Sequence, residues 1–280
     1  MSIAGRAPLT AEQAIAQSAP LAGRLGFYFD FDGTLAEIQD DPGAVQPIPG
    51  VVQGLVELAS RVDRVGIVSA RPVGFLAERF GQVPGIVLYG LYGLESRRDA
   101  ETSIDPEVAQ WVPAIRRLVE AARHELPPDV LVEDKHLAVA LHYRLAPHRR
   151  DEVETWAGRE AQRLGLAVQR GRMVAEIKPA VARDKGVVIQ QEIAGLGGAW
   201  YVGDDISDRR AFEVLAEYEA THPDFLGVRV AVTNTETGGA LADLADFVLA
   251  APEEMPRMLA RVTRAFVAAE PAPHPARPDS

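Results

Sequence analysis

FYFDFDGT, residues 27–34, is the stretch that decides how this 280-residue chain is read. An apolar, β-rich run ends in two carboxylates, Asp30 and Asp32, followed by Gly33 and Thr34. Residues i and i+2 of a strand point to the same side, so both acids face one place. Like charges that close repel, and burying them is costly. A divalent cation would offset that repulsion.

Working outward, GFYFDF (26–31) reads as a strand buried on both faces. IPGVVQGLVELAS (48–60) has helical spacing with Pro49 in its first turn. RVGIVSA (64–70) is a second buried strand, PVGFLAERFG (72–81) a helix ended by Gly81, and GIVLYGLYG (85–93) a third strand. Strands alternating with helices imply parallel βαβ units, hence a doubly wound, Rossmann-like α/β sheet. Such sheets bind ligands beyond the carboxyl ends of their strands, where Asp30, Asp32 and Ser69 lie.

The middle of the chain changes character. PEVAQWVPAIRRLVEAARHEL (106–126) reads as one helix, followed by the strand pair DVLVEDK and HLAVALHYR. RRDEVETWAGREAQRLG (149–165) is a second helix, followed by LAVQRG and MVAEIKP as a second strand pair. Helix and hairpin repeated is an antiparallel α+β pattern. The first pattern then resumes with KGVVIQQEIAGLG as helix, AWYVGDD as strand, SDRRAFEVLAEY as helix, and GVRVAV and DFVLA as final strands. The expected organisation is a helical lead-in over 1–24 and an α/β core over 25–103 and 182–266. An inserted α+β cap domain fills 104–181, and a disordered tail rich in proline takes 267–280.

The net charge of −11 argues against nucleic acid or an anionic membrane as partner. The absence of cysteine excludes disulfides, thiolate metal sites and thiol nucleophiles, and fits a reducing compartment. No segment approaches the roughly 20 apolar residues of a membrane span, and Glu12 and Gln13 stand where a signal peptide would have its apolar centre. A cytoplasmic monomer acting on a small molecule is the expectation.

YVGDDISD (201–208) brings Asp204, Asp205 and Asp208 to the end of a second strand. Clustered hard oxygen ligands without His or Cys suit Mg²⁺, which also takes waters and substrate phosphate. One of Asp30 and Asp32 can attack phosphorus while the other gives a proton to the leaving group. Ser69 can donate to a phosphoryl oxygen, and Lys185, at a helix start, can place positive charge on the same group.

Asp30-x-Asp32-Gly33-Thr34, Ser69, Lys185 and Gly203-Asp204-Asp205-x-x-Asp208 resemble, in order, the four motifs of the haloacid dehalogenase superfamily. That resemblance implies Asp30 as nucleophile and Asp32 as general acid/base. It implies Mg²⁺ held by Asp30, the backbone carbonyl of Asp32, and Asp204. Asp205 and Asp208 then act behind these ligands through metal-bound waters, and Gly33, Thr34 and Arg71 belong to the substrate side. VEDKHLAVALHYR (132–144), RGRMVAEIKP (170–179), DKG (184–186), DDPGAVQPIPG (40–50), VSARP (68–72) and GDDISD resemble the trehalose-6-phosphate phosphatases, over about residues 25–265. The sugar-binding cap positions of that family fall on Glu133, Arg144, Arg172 and Glu176. Three positions depart from its pattern. Arg172 stands where Lys is usual, Tyr92-Gly93 where His-Gly is frequent, and Ser69-Ala70-Arg71 where the family reads Ser-Gly-Arg.

Plainer readings exist for each residue. Asp30 and Asp32 can cap a strand end, and Asp205 or Asp208 a helix starting near Ile206. Glu133, Arg144 and Glu176 can form cross-strand ion pairs on a solvated face. Lys135, His136 and Lys178 are expected to face solvent, His142 to be a core or edge residue, and Trp111 and Trp156 to pack the core. At the level of function, the alternatives are a phosphatase of another sugar-like phosphate, a phosphomutase, and a non-catalytic sugar-phosphate sensor. The cap is expected to hinge near 100–105 and 180–184.

Overall fold

Alternating apolar side chains along residues 25–29 build a strand with two dry faces. Phe27 and Phe29 enter one hydrophobic core and Tyr28 the other. Every residue of this strand, β1 (Leu25–Phe29), is buried. The computed structural model describes residues 6–39, 41–171, 173–181, 183–234, 236, 237, 239 and 241–269. β1 lies between β2 (Arg64–Val68) and β10 (Gly198–Gly203), both parallel to it. The sheet continues through β3 (Ile86–Gly90) on one side, and through β11 (Leu226–Val232) and β12 (Phe247–Leu249) on the other, all parallel. Helices cover both faces. α1 (Ala11–Ser18), α2 (Val51–Ala59), α3 (Val73–Phe80) and α9 (Met255–Ala269) pack on the Phe27 face, and α7 (Lys185–Glu192) and α8 (Arg209–Thr221) on the Tyr28 face. This is the expected doubly wound α/β fold.

An antiparallel hairpin, β4 (Glu95–Arg98) and β5 (Glu101–Ile104), extends the sheet beyond β3. Its sequence, ESRRDAETSI, is polar except at Ala100 and Ile104 and carries no alternation, so no strand was expected there. Asp99 and Ala100 at its turn both have positive φ, the geometry of a tight hairpin.

A second sheet, separate from the first, is wholly antiparallel. It joins β6 (Leu131–Asp134), β7 (Val139–His142), β9 (Val174–Pro179) and β8 (Leu166–Gly171), in that order. α5 (Val112–Glu125) and α6 (Arg150–Leu164) pack on one of its faces around Ile115, Leu118, Val153 and Trp156. The single helix expected over 106–126 is broken into α4 (Pro106–Ala109) and α5. Pro113 is the cause: its ring collides with the carbonyl of residue i−4, Ala109, where α4 ends. α7 also stops sooner than its sequence suggested, at Glu192, and Gly195 turns the chain at φ 80°. α9 was not anticipated, and residues 267–269, expected in a disordered tail, are its last turn. The rest of that expected tail, 270–280, lies outside the described residues, as do residues 1–5 of the lead-in.

The chain crosses between the sheets near residues 105 and 183. Asp105 caps α4 through the N–H of Glu107 and is ion-paired with Arg183, so the two crossings are tied together.

Candidate active site

The acids sit where the sheet places them, at the carboxyl ends of β1 and β10. The Asp30 N–H donates to Val202 O (2.9 Å), continuing the β1–β10 ladder one residue past the strand. The chain then turns sharply, with Gly33 N–H donating to Ala36 O (2.8 Å). Gly33 has φ 78°, and a Cβ there would lie 2.3 Å from Asp204 Oδ2, so only glycine fits. Thr34 is fully buried and its hydroxyl donates to Asp204 Oδ1 (3.3 Å). The assignment of Gly33 and Thr34 to the substrate side is therefore corrected. Both are packed behind the acids, with the Gly33 N–H and the Thr34 hydroxyl already engaged.

Lys185 and Asp208 form the hub. The Lys185 ammonium, 2% exposed, lies 2.9 Å from Asp30 Oδ1 and 2.6 Å from Asp208 Oδ1. Asp208 Oδ1 also accepts from the Tyr201 hydroxyl (2.7 Å), and Oδ2 from the N–H groups of Asp204 (3.0 Å) and Asp205 (3.2 Å). A carboxylate has about four lone-pair positions, and four donors meet this one. That corrects the expectation that Asp208 works through metal-bound water: it holds Lys185 and the strand end in place. Asp205 caps the short turn Ile206–Asp208 through Ser207 N–H (2.8 Å), so the plainer capping reading applies to it as well.

Negative charge is in excess. Burial, then Asp208, push the Asp30 carboxyl well above the usual carboxylate range, against the pull of Lys185. Burial, Asp208 and Asp205 push Asp204 up to about 6. Burial alone would lower Lys185, but Asp208 and Asp30 outweigh it and raise the ammonium above its ordinary value. Asp30, Asp205 and Asp208 each bring a carboxylate oxygen within 4.8 Å of the others. Asp208 is already filled by its four donors, so it is the surplus carboxylate oxygens of Asp30, Asp204 and Asp205 on the same cavity that fit a hard divalent cation.

Ser69, 1% exposed, ends the neighbouring strand, and its Oγ accepts from the Arg71 N–H (3.1 Å), leaving its own proton to donate. The Arg71 guanidinium forks onto Asp32, with Nε 2.8 Å from Oδ2 and Nη2 2.6 Å from Oδ1. Its Nη1 donates to Pro42 O (2.7 Å). Arg71 is thus committed to orienting Asp32, which corrects its placement on the substrate. Asp30, Asp32, Ser69, Lys185, Asp204 and Asp205 all line one open cavity of about 380 Å³.

Above that cavity lies the uncovered face of the antiparallel sheet. The register aligns Glu133, Ala140, Glu176 and Gln169 in one row across β6, β7, β9 and β8. Glu176 and Gln169 line a second cavity, about 90 Å³, together with Lys135, Lys178, Tyr92 and Arg183. Lys135 pairs with Glu176 (2.7 Å), and Lys178 lies over the Tyr92 ring (5.6 Å). Both were expected to face solvent; Glu176 of β9 draws Lys135 inward, and the Tyr92 ring does the same for Lys178. His136, also expected in solvent, contacts buried Glu95 of β4 through Nδ1 (2.5 Å). Glu133 accepts from His142 Nε2 (2.8 Å), and this bond, with Lys135 and Arg71 nearby, holds its carboxyl below the usual range. Arg144 is exposed on the turn after β7 and does not line the cavity, because the strand ends at His142. Arg172 lies outside the described residues.

Sequence reasoning missed Asn234 and Thr237, whose side chains donate to Asp204 Oδ2 (2.6 and 3.3 Å). The signal was present: both follow the apolar run GVRVAV, another parallel strand ending on the same edge as the acids.

Residues 28–249 match the trehalose-phosphatase family. The chain belongs to that family. It is 34% identical to the trehalose-phosphate phosphatase of Mycobacterium leprae over 252 residues, which cover 85% of this chain and 57% of the relative. Against the protein of the same description from Mycobacterium tuberculosis it is 34% identical over 248 residues, covering 85% and 61%. The chain therefore spans about three-fifths of the length of these curated relatives. Among solved structures, a trehalose-6-phosphate phosphatase related protein superposes with a TM-score of 0.71 at 23% identity, covering 87% of this chain and 99% of that one. A haloacid dehalogenase-like hydrolase from Bacteroides thetaiotaomicron gives 0.55 at 15%, covering 85% and 98%. At such identities these two speak for the fold, a haloacid dehalogenase-type core bearing a cap. Among the described residues of this trehalose-phosphatase family member, no helix is long and apolar enough to cross a membrane.

Proposed function

We propose that the chain is a Mg²⁺-dependent phosphatase that hydrolyses trehalose 6-phosphate to trehalose and phosphate through a phosphorylated Asp30. The observation carrying this reading is the pairing of the Asp30–Lys185–Asp208 hub with a polar sheet face directly above it. Residues 25–103 and 182–266 act as the core, and 104–181 as the cap, in a cytoplasmic monomer.

Asp30 Oδ attacks phosphorus in line, and the bond from phosphorus to the sugar oxygen breaks. Asp32 gives its proton to that oxygen, then takes one from the water that cleaves the aspartyl-phosphate. Lys185 and the Ser69 hydroxyl meet the phosphoryl oxygens. Asp30, the Asp32 carbonyl and Asp204 would hold Mg²⁺, which supplies charge neutralisation on the phosphoryl group when bound. Glu133, Glu176 and Gln169 meet sugar hydroxyls. Ligand pockets generally measure about 300–1,000 Å³, so the cavity of about 90 Å³ must widen to admit a disaccharide. The cap therefore opens about its two crossings before substrate binds.

The test is Mg²⁺-dependent phosphate release across a panel of sugar phosphates, with a quench experiment on labelled substrate. Preference for trehalose 6-phosphate and label on Asp30 are expected. Equal rates in excess chelator, label on another residue, or full turnover by Asp30→Asn would refute the mechanism. Preference for a different sugar phosphate would leave the chemistry and replace the substrate.

A further inference from the structure

Two cavities meet at one residue with something to offer a ligand. Among the described residues, the acidic cavity and the cap cavity share only Ala70 and Tyr92 in their linings. Ala70 contributes a methyl group, whereas Tyr92 contributes a ring and a hydroxyl. Its phenol feels Lys185 and Asp30 from the core side and Glu176 from the cap side. The cap's Lys178 lies over the ring, so the side chain bridges core and cap.

The backbone that carries this ring is fixed and unusual. Leu91, Tyr92 and Gly93 all have positive φ (51°, 59° and 89°). A large aromatic residue rarely adopts that region. The loop is pinned to the one bearing Ser69, with the Leu91 N–H donating to Arg71 O and the Tyr92 N–H to Ser69 O, each at 3.0 Å. Gly93 packs so closely that a Cβ would stand 2.4 Å from Val188 Cγ2. A bulky side chain kept on such a backbone, with its hydroxyl in no hydrogen bond to protein among the described residues, is explained by a ligand contact better than by packing.

We propose that Tyr92 is a specificity-determining residue, spanning the passage between the cavities so that its ring packs on the phosphate-bearing sugar and its hydroxyl donates to it. This rests on the sugar-phosphate reading above. A rigid aromatic group with a polar tip suits a pyranose, which presents C–H faces between hydroxyls. Burial pushes the phenol up to about 12, so it remains a donor at neutral pH.

The experiment compares wild type with Tyr92→Phe and Tyr92→Asn. Asn accepts the left-handed backbone readily, so the melting temperature of Tyr92→Asn should equal or exceed the wild type's. Its ratio of kcat/KM for trehalose 6-phosphate to that for p-nitrophenyl phosphate should fall about 10–100-fold, because the sugar is no longer positioned. Tyr92→Phe should lose about 3–10-fold in the same ratio for the missing hydrogen bond. Competitive inhibition by inorganic phosphate, which is held by Lys185 and Ser69 and carries no sugar for the ring to meet, should change far less than that ratio. A ratio equal to the wild type's, or a weakened phosphate inhibition that tracks the loss, overturns the inference and makes Tyr92 structural. A wild type that releases no phosphate from trehalose 6-phosphate overturns the substrate reading itself, and is seen before any variant is compared.

Discussion

Replacing Lys185 by Met should expose how much the site depends on one buried ammonium. Met has a similar length and no charge, so the change removes electrostatics and leaves little cavity. Lys185 is 2% exposed and stands between Asp30 and Asp208, with its nitrogen within 2.9 Å of an oxygen of each. Without it, two buried carboxylates face one another uncompensated. Breaking a buried ion pair from one side typically costs about 3–5 kcal/mol. At about 2–4 °C per kcal/mol for large domains, the melting temperature should drop by roughly 6–20 °C. The sign of the pH dependence follows. Burial and Asp208 already raise Asp30 with the ammonium present, and removing the ammonium raises it further. A carboxyl that binds protons more tightly when folded gains stability as pH falls, so the deficit should shrink between pH 7.5 and pH 5. Adding Asp208→Asn should restore part of the loss, since the amide oxygen can still accept from Asp204 and Asp205. Thermal melts of the four proteins in chelator, at both pH values, give the double-mutant cycle. A Lys185→Met protein that melts within 2 °C of wild type, or a deficit identical at both pH values, would refute the reasoning.

Arg71→Lys keeps the charge but loses the fork on Asp32, so kcat should fall about 10-fold or more with little change in melting temperature; phosphate-release kinetics decide it, and full activity would remove Arg71 from the orienting role. Asp246 has a fully buried side chain between Arg229 (3.1 Å) and Arg6 (2.5 Å). Burial alone would raise its carboxyl, but these arginines hold it below its ordinary 3.8. Its contribution is therefore complete above about pH 4 and lost as pH falls through the lower folded value, which denaturation midpoints between pH 2 and 6 will show. Asp246→Asn should cost about 3–5 kcal/mol at neutral pH by leaving Arg229 unpaired.

The core was legible because its strands are apolar on both faces and end in residues that punctuate. GFYFDF and AWYVGDD each announce a buried strand and its carboxyl end in a few letters. The same logic located Asp30, Asp32, Ser69, Lys185 and Asp204 on one cavity or its floor. What escaped was set by partners distant in sequence. Thr34 looks like part of a substrate loop until Asp204, 170 positions away, takes its hydroxyl. Arg71 looks free until Asp32 comes within reach. Lys135 and Lys178 read as solvated because Glu176 and the Tyr92 ring that draw them inward belong to other strands and the other sheet. The β4–β5 hairpin escaped because its mostly polar side chains carry no apolar alternation, even where Glu95 is buried.

β1 and β10 are neighbours in the sheet, yet the whole of β2 to β9 lies between them in sequence. Their pairing, which joins the two halves of the acidic cavity, is a contact of very long range, and such contacts form late because loop closure must precede them. For a flexible loop, lengthening from about 20 to about 170 residues adds roughly 2 kcal/mol to closure. The antiparallel sheet, whose strands all fall within residues 131–179, is built from contacts local to that loop, and forming it first would bring the loop's ends nearer. Its two tethers leave close to one another, at Asp105 and Arg183. Substitutions in the cap's interior, at Ile115 or Trp156, should therefore slow assembly of an acidic cavity they never touch.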